Sequence, residues 1–212
     1  MCIGDHAASM IAMPATISNA QEPGRWLFKL GAAIRLTRER SQRQPDVAGH
    51  CAQAEFAEKA GISLRYLSDI ECGKHDPTFE VLMQILEALG VEPQEFFRKN
   101  RLWGSAKRAR RSKPIGAAYD VASERSTHIQ RLAYAVRLER SFRRIDQAQL
   151  SLDAAISRAT LSKIENAKAN PAFTNLLKII VALKSDLPTF FRHIPLSGPA
   201  EPTRMTKLRK GS

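Results

Sequence analysis

One segment of the chain occurs twice. Residues 53–98 recur without a gap as residues 147–192, at an offset of 94 (147 − 53 = 94). The matched positions include polar and aromatic residues as well as apolar ones: Gln53 with Gln147, Glu71 with Glu165, Lys74 with Lys168, and Phe96 and Phe97 with Phe190 and Phe191. Unrelated amphipathic helices share apolar spacing, but they do not place Gln, Glu and Lys at identical intervals. The sequence therefore predicts a duplicated structural unit.

The length and charge of the chain limit its class. Two units of about 70 residues each, plus tails, fill a chain of 212 residues, so we expect two small cores. The 33 Lys and Arg residues against 21 Asp and Glu residues give a net charge of +12, which favours a polyanionic partner such as nucleic acid. Three cysteines are an odd number, which argues against a disulfide framework and favours a reducing cytosol.

The helical periodicity divides the chain into five parts. We expect a tail over 1–25, a first unit over 26–99, a linker over 100–123, a second unit over 124–193 and a basic tail over 194–212. The stretch that leads from the first unit into the linker is basic and lacks acidic residues among its charges: Arg98, Lys99, Arg101, Lys107, Arg108, Arg110, Arg111 and Lys113. It is expected to be a solvated tether between separately folded modules, or an arm that contacts phosphates or a minor groove. No apolar run can span a bilayer, and the segment before Pro14 is a poor signal peptide.

Apolar spacing predicts five helices in each unit, and hence an all-α fold. In the first unit the helices are expected over 26–41, 53–60, 64–72, 79–89 and 93–97. In the second they are expected over 128–142, 147–154, 158–166, 173–184 and 187–192. Gly61 and Gly73 suit the turns on either side of the third helix, because glycine tolerates a positive φ.

Two differences separate the copies. Arg38 to Gln53 covers 15 steps and Arg140 to Gln147 covers 7, so the first copy carries an insertion of 8 residues (15 − 7 = 8). Ala155 and Ala167 replace the turn glycines in the second copy. An alanine at positive φ costs about 1–2 kcal/mol, which predicts a less stable or more divergent second copy.

The string QAEFAEKAGISLRYLSDIECGKHDPTFEVL, residues 53–82, resembles the helix-turn-helix of the xenobiotic-response-element (XRE) family, which includes lambda-type repressors and Cro proteins. QAQLSLDAAISRATLSKIENAKANPAFTNL, residues 147–176, is similar to a looser member. The resemblance implies two tandem five-helix, lambda-repressor-like domains in a bacterial or phage-type transcriptional regulator. Repression is the family's commoner outcome, and activation is left open.

A third helix that turns Leu67 and Ile70 inward must present its other face outward, and a helix of this size fits the major groove of DNA. Arg65 and Arg158 are the best base-reading candidates, since a guanidinium can bond guanine O6 and N7 together. The full set of candidate DNA-binding residues is Gln53, Ser63, Leu64, Arg65, Tyr66, Ser68, Asp69 and Lys74 in the first copy, and Gln147, Ser157, Arg158, Ser162, Lys163, Asn166 and Lys168 in the second. The matching outward positions of the second copy are Arg158, Ala159, Ser162 and Lys163, and all of them except Ser162 differ from their counterparts, so the copies should read different sequences.

The family resemblance also assigns roles beside this helix. It places Gln53 and Gln147 at a helix N-terminus facing a phosphate, where free backbone N–H groups favour an anion, and it makes Lys74 and Lys168 further phosphate contacts. It pairs Glu71 with Arg38 and Glu165 with Arg140. A carboxylate in this helix would otherwise repel phosphate, so these pairs are expected to be structural.

Other functions remain as alternatives. A zinc site from His50, Cys51, Cys72 and His75 is disfavoured, because adjacent His50 and Cys51 cannot easily bind one metal and Asn166 replaces Cys72 in the second copy. We expect no catalytic site, no cofactor and no small-molecule site. The main competitor to DNA reading is a protein-docking antiactivator or antitoxin on the same scaffold, with a regulatory protein or self-association as partner. Non-specific nucleic-acid packaging is the third possibility.

Overall fold

The computed structural model describes residues 23–41, 53–102 and 127–196. These residues form ten helices, in agreement with the predicted all-α fold: α1 Pro23–Ser41, α2 Gln53–Lys59, α3 Leu64–Glu71, α4 Phe79–Leu89, α5 Pro93–Lys99, α6 His128–Phe142, α7 Gln147–Asp153, α8 Arg158–Glu165, α9 Phe173–Ala182 and α10 Leu187–Phe191. The predictions for the terminal tails, the insertion before α2 and the basic linker from residue 103 concern residues outside the described ranges.

Short polar side chains set the starts of several helices. Ser63 and Ser157 accept hydrogen bonds from the backbone N–H groups of Tyr66 and Thr160, at the starts of α3 and α8. Thr127 forms a reciprocal capping box at the start of α6. Each such cap stabilises a helix start by about 1 kcal/mol, and the two serines lie at matched positions (157 − 63 = 94).

Each copy packs its first helix across its third. In copy one, residues 23–102, α1 lies against α3, while in copy two, residues 127–196, α6 lies against α8. The crossing in copy one is so close that a Cβ on Gly31 would lie 2.2 Å from the carbonyl oxygen of Ile70. A Cβ on Gly73 would lie 2.6 Å from the Cα of Phe28. Glycine at both positions therefore permits the helix contact.

The turn geometry of copy two confirms the predicted positive-φ alanines. Ala155 has φ +49° and Ala167 has φ +56°, against +68° for Gly61 and +70° for Gly73 at the matched positions. A third replacement was not predicted: Lys184, with φ +50°, stands where copy one has Gly90. Copy two therefore holds three side chains in the left-handed region that copy one leaves to glycine.

An approximate two-fold axis relates the two copies, and backbone hydrogen bonds join them across it. Thr78 and Ala172, which are counterparts (172 − 78 = 94), form an isolated antiparallel bridge. Phe79 N donates to Pro171 O at 2.9 Å, and the counterpart bond, from Phe173 N to Pro77 O, is also 2.9 Å. Because each contact recurs when counterparts are exchanged, copy one is related to copy two by a half-turn.

Aromatic rings extend this junction into the core. Phe97 and its counterpart Phe191 have ring centroids 4.5 Å apart, and α5 packs against α10. Phe97 also stacks at 6.2 Å on Phe173, and Phe191 at 6.3 Å on Phe79, again as exchanged pairs. The buried residues of both copies form one cluster. The small cores of the two copies are therefore continuous in the described residues, because both copies place the end of their last helix in a shared interior.

Candidate nucleic-acid interface

The outward face of α3 carries the predicted reading residues. Leu67 and Ile70 are fully buried, so the helix orientation is fixed by the core. Leu64 is 46% exposed, Arg65 is exposed, and Ser68 and Asp69 are half-buried beside it. A cation, a hydroxyl and a carboxylate thus share one accessible helix face, a combination of groups that can donate to and accept from base edges.

The matching face of α8 has different chemistry. Leu161 and Ile164 are buried, and Arg158 and Lys163 are exposed with Ser162 half-buried between them. The exposed charges are two cations here, whereas α3 presents one cation and one half-buried carboxylate. The outward faces of α3 and α8 therefore present different charged groups to a DNA duplex.

A three-residue network lies behind the reading face of copy one. Arg38 Nε donates to Glu71 Oε1 at 2.8 Å, and Arg38 Nη2 donates to Glu71 Oε2 at 2.9 Å. Gln53 Nε2 donates to the same Oε2 at 2.8 Å. Both charged residues are 8% exposed, so the pair ties α1 to α3, and the amide adds α2. The bidentate geometry is the strongest form of such a pair.

Copy two repeats the network. Arg140 Nε donates to Glu165 Oε1 at 2.7 Å, and Gln147 Nε2 donates to Glu165 Oε2 at 3.0 Å. Arg140 Nη1 also donates to the carbonyl of Ile145 at 3.1 Å, which fixes the loop before α7. The structure thus brings together the residues that the resemblance paired. Gln53 and Gln147 were predicted to face a phosphate. In both copies the side-chain amide of this Gln donates to the glutamate of the pair.

The other predicted residues lie around the ends of the reading helices. Tyr66 is half-buried and packs edge-on against His75, with ring centroids 4.7 Å apart. Burial raises the pKa of the Tyr66 hydroxyl, and nearby Asp76 raises it further. Asn166 Nδ2 caps the end of α8 by donating to the carbonyl of Ser162 at 2.8 Å. Lys74 and Lys168 are exposed just beyond α3 and α8.

Sequence reasoning missed a polar cleft beside the reading helix of copy one. The cleft, about 240 Å³ in volume, is lined by Arg35, Arg38, Glu39, Gln53, Ser68, Glu71 and Cys72. Arg35 and Cys72 had no assigned role, although Arg35 stands one turn before Arg38 on α1. Arg35 Nε donates to Glu39 at 2.9 Å. Within the described ranges, no group of three or more His, Cys, Asp or Glu residues could hold a metal ion.

Comparison with known proteins agrees with this geometry. A family model described as helix-turn-helix matches residues 47–96 and 143–190, one match in each copy. The chain therefore carries two helix-turn-helix units of the XRE type, one in each copy. It is 38% identical over 58 residues to two proteins named as uncharacterized HTH-type transcriptional regulators, from Mycobacterium tuberculosis strains CDC 1551 and H37Rv.

These similarities are local. Each match takes in 27% of this chain and 39% of the relative, so the chain spans less than half the length of these relatives. No solved structure gives a significant match. In the part of the chain that the structure describes, no helix is long and apolar enough to cross a membrane.

Proposed function

We propose that this protein is a transcriptional regulator that binds double-stranded DNA and reads two unlike, inverted half-sites with one chain. The proposed units are residues 26–99 and 124–193, and the proposed reading surfaces are the outward faces of α3 and α8. The helix-turn-helix matches in both copies support the class of function. The half-site arrangement rests on one observation, the approximate two-fold axis.

The axis determines the orientation of the half-sites. In helix-turn-helix dimers, the two-fold symmetry of the protein matches a pseudo-palindrome in the operator, with half-sites about 34–36 Å apart, one turn of DNA. Here the half-turn relates two copies on one chain, so consecutive units in sequence would meet DNA in opposite directions. An inverted repeat, and not a direct repeat, is therefore the expected operator.

The chemistry of the two faces makes that repeat imperfect. Arg65 suits a guanine, whose O6 and N7 can both accept from a guanidinium, and Asp69 suits a cytosine amino group. Arg158 and Lys163 on α8 offer donors without a neighbouring acid. Exposed Lys74 and Lys168, together with the net charge of +12, would add phosphate contacts that carry no sequence information.

Selection of bound sequences from a random DNA pool tests the proposal with the full chain. We expect enrichment of one motif with two unlike halves in inverted orientation and fixed spacing. Arg65→Ala should randomise positions in one half only, and Arg158→Ala in the other. Enrichment of a direct repeat, or of one half alone, would contradict the proposed arrangement. Equal binding to all sequences would favour non-specific packaging.

One observation favours protein docking as a second candidate function for copy two. Phe142 is 58% exposed and Leu152 is 75% exposed, whereas their counterparts in copy one are Arg40 and Glu58 (142 − 102 = 40; 152 − 94 = 58). If selection enriches only the half read by α3, copy two would be assigned to a protein partner. Phe142→Arg with Leu152→Glu, which installs the residues of copy one, should then abolish regulation in cells but leave DNA affinity unchanged.

A further inference from the structure

The side-chain contacts between the copies divide the charged groups unequally. Asp76 of copy one accepts a bond from Thr174 N at 3.2 Å and another from the Thr174 hydroxyl. Glu80 of copy one accepts from Asn170 Nδ2 at 3.0 Å. Copy one therefore supplies the carboxylates, and copy two supplies the hydroxyl and amide side-chain donors. In the other direction, the backbone N–H of Glu80 donates to Asn170 Oδ1 at 3.2 Å.

Two further contacts follow the same rule. Glu87 on α4 pairs with Nε2 of His128 at the start of α6, at 3.1 Å. Glu92, before α5, accepts from the backbone N–H of Leu196 at 3.1 Å. Across the described part of this junction, every carboxylate that these contacts use comes from copy one.

The contact between Asp76 and Thr174 and the contact between Glu80 and Asn170 are related by the two-fold axis. Asn170 is the counterpart of Asp76 (76 + 94 = 170), and Thr174 is the counterpart of Glu80 (80 + 94 = 174). If two copy-one surfaces met about such an axis, Asp76 of each would face Glu80 of the other. Each of the two contacts would then hold a pair of carboxylates with no donor side chain, and only the backbone N–H of residue 80 would be left to donate. Because these residues are half-buried, the repulsion would be poorly screened by water.

We propose that this junction selects unlike pairing: the surface of copy one around Asp76 and Glu80 accepts a copy-two surface and rejects a second copy-one surface. The occupant of the surface is copy two, of the same chain or by exchange from another chain. Two chains cannot dimerise through matching copy-one surfaces. The apolar contacts through Phe97 and Phe191 supply affinity for either pairing, and the carboxylates supply the selection. This proposal does not depend on DNA binding.

A charge-exchange series in the full chain tests it. The acid-on-acid variant, Asn170→Asp with Thr174→Glu, places carboxylates on both sides of the junction. We expect its melting temperature to fall by about 5–10 °C, a shift in line with several like-charge contacts in a protein of this size. Adding Asp76→Asn and Glu80→Thr exchanges the roles of the two copies, so it should restore most of the loss. Gln84→Glu, on the exposed face of α4, adds charge without this contact and should cost little.

The salt dependence of the melting temperature distinguishes a loss caused by charge repulsion from a loss caused by poorer packing. The deficit of the acid-on-acid variant should shrink in 1 M NaCl, because the screening length there is only about 3 Å, and the deficit of a packing mutant should not. If the acid-on-acid variant fails to fold, the single change Asn170→Asp and its rescue by Glu80→Gln provide the same comparison. The proposal is overturned if the acid-on-acid variant melts like the native chain. It is equally overturned if the exchanged variant is no more stable than the acid-on-acid one.

Discussion

Phe97 and Phe191 occupy the same position in the two copies, and their rings meet at the axis with centroids 4.5 Å apart. Each ring is at most 1% exposed. Each is therefore a core residue of its own copy and also of the other.

The copies should stay associated after the connection between them is cut. We expect a protease site introduced between residues 103 and 126 to give two fragments that co-elute in size-exclusion chromatography, because the backbone bridge and the phenylalanine cluster join them without the linker. Phe97→Ala should separate the fragments or unfold them, since truncating a buried Phe costs about 3–5 kcal/mol. Phe28→Ala, at a 63% exposed site, is the matched control. Separation of native fragments at micromolar concentration would show that the shared core is too weak to hold them.

The Arg140 and Glu165 pair should contribute strongly to stability. Removing one partner of a buried pair typically costs about 3–5 kcal/mol, because the other charge is left without compensation. Glu165→Gln should therefore lower the free energy of unfolding, measured by urea denaturation, by several times more than Glu58→Gln at an exposed position. An unchanged urea midpoint for Glu165→Gln would argue against this role.

Arg65 and Arg158 should each determine bases in one half-site. Replacement by Ala is expected to cost about 1–3 kcal/mol on the selected operator and much less on random DNA, because a base contact is lost and not a phosphate contact. Fluorescence anisotropy titrations on both DNAs measure the difference. Arg192→Ala, an exposed change at the end of α10, serves as control. Equal losses on both DNAs would reassign the arginine to the phosphate backbone.

Ala155→Gly should stabilise the protein. Ala155 is exposed and has φ +49°, so the change relieves strain of about 1–2 kcal/mol without leaving a cavity, and greater freedom of the unfolded chain offsets part of the gain. Ala148→Gly, within helix α7, should destabilise by about 0.5–1 kcal/mol. Chemical denaturation of the two variants should therefore show shifts of opposite sign. If both variants were destabilised, the positive φ of Ala155 would carry no strain that glycine relieves.

Acid should remove the contribution of Glu139. A hydrogen bond from His193 lowers the pKa of the Glu139 carboxyl, with a smaller effect from Arg143 and against the opposing effect of burial. A lowered pKa stabilises the fold above the unfolded value of about 4.3, and the stabilisation is lost as the pH falls through the folded pKa. The stability gap between the native chain and Glu139→Gln should be full above the unfolded pKa of about 4.3 and should close as the pH falls below it. A constant gap across that range would exclude this linkage.

Local sequence patterns predicted where the helices begin and end better than they predicted how the two copies pack together. The start of α6 at His128 and its end at Phe142 follow from a Thr cap and regular apolar spacing. The bridge between Thr78 and Ala172 leaves no such pattern, because backbone groups make its hydrogen bonds and any residue supplies them. Adjacent Phe190 and Phe191 did carry a signal. Two neighbouring residues of a short helix point about 100° apart, so both can be buried only if the helix is covered on two sides.

The reading surfaces were partly accessible from sequence for a similar reason. Burial of Leu67 and Ile70 determines which residues of α3 face outward, and apolar spacing reveals that burial. The bonds from Gln53 and Gln147 to Glu71 and Glu165 depend on the angle between helices. A pattern of residues along one helix does not contain that angle.

Because of the glycines at the crossing of α1 and α3, the two copies differ in which substitutions they tolerate. Copy two has Ala133 in place of Gly31 (31 + 102 = 133) and Ala167 in place of Gly73, so its first and third helices must lie further apart at this point. A reading helix moved from copy two into copy one would be tolerated only if Gly73 were kept, because an added Cβ would meet the backbone of Phe28. The reverse transfer meets no such obstacle. Exchange of reading helices between the repeats is therefore tolerated mainly in one direction, from copy one into copy two.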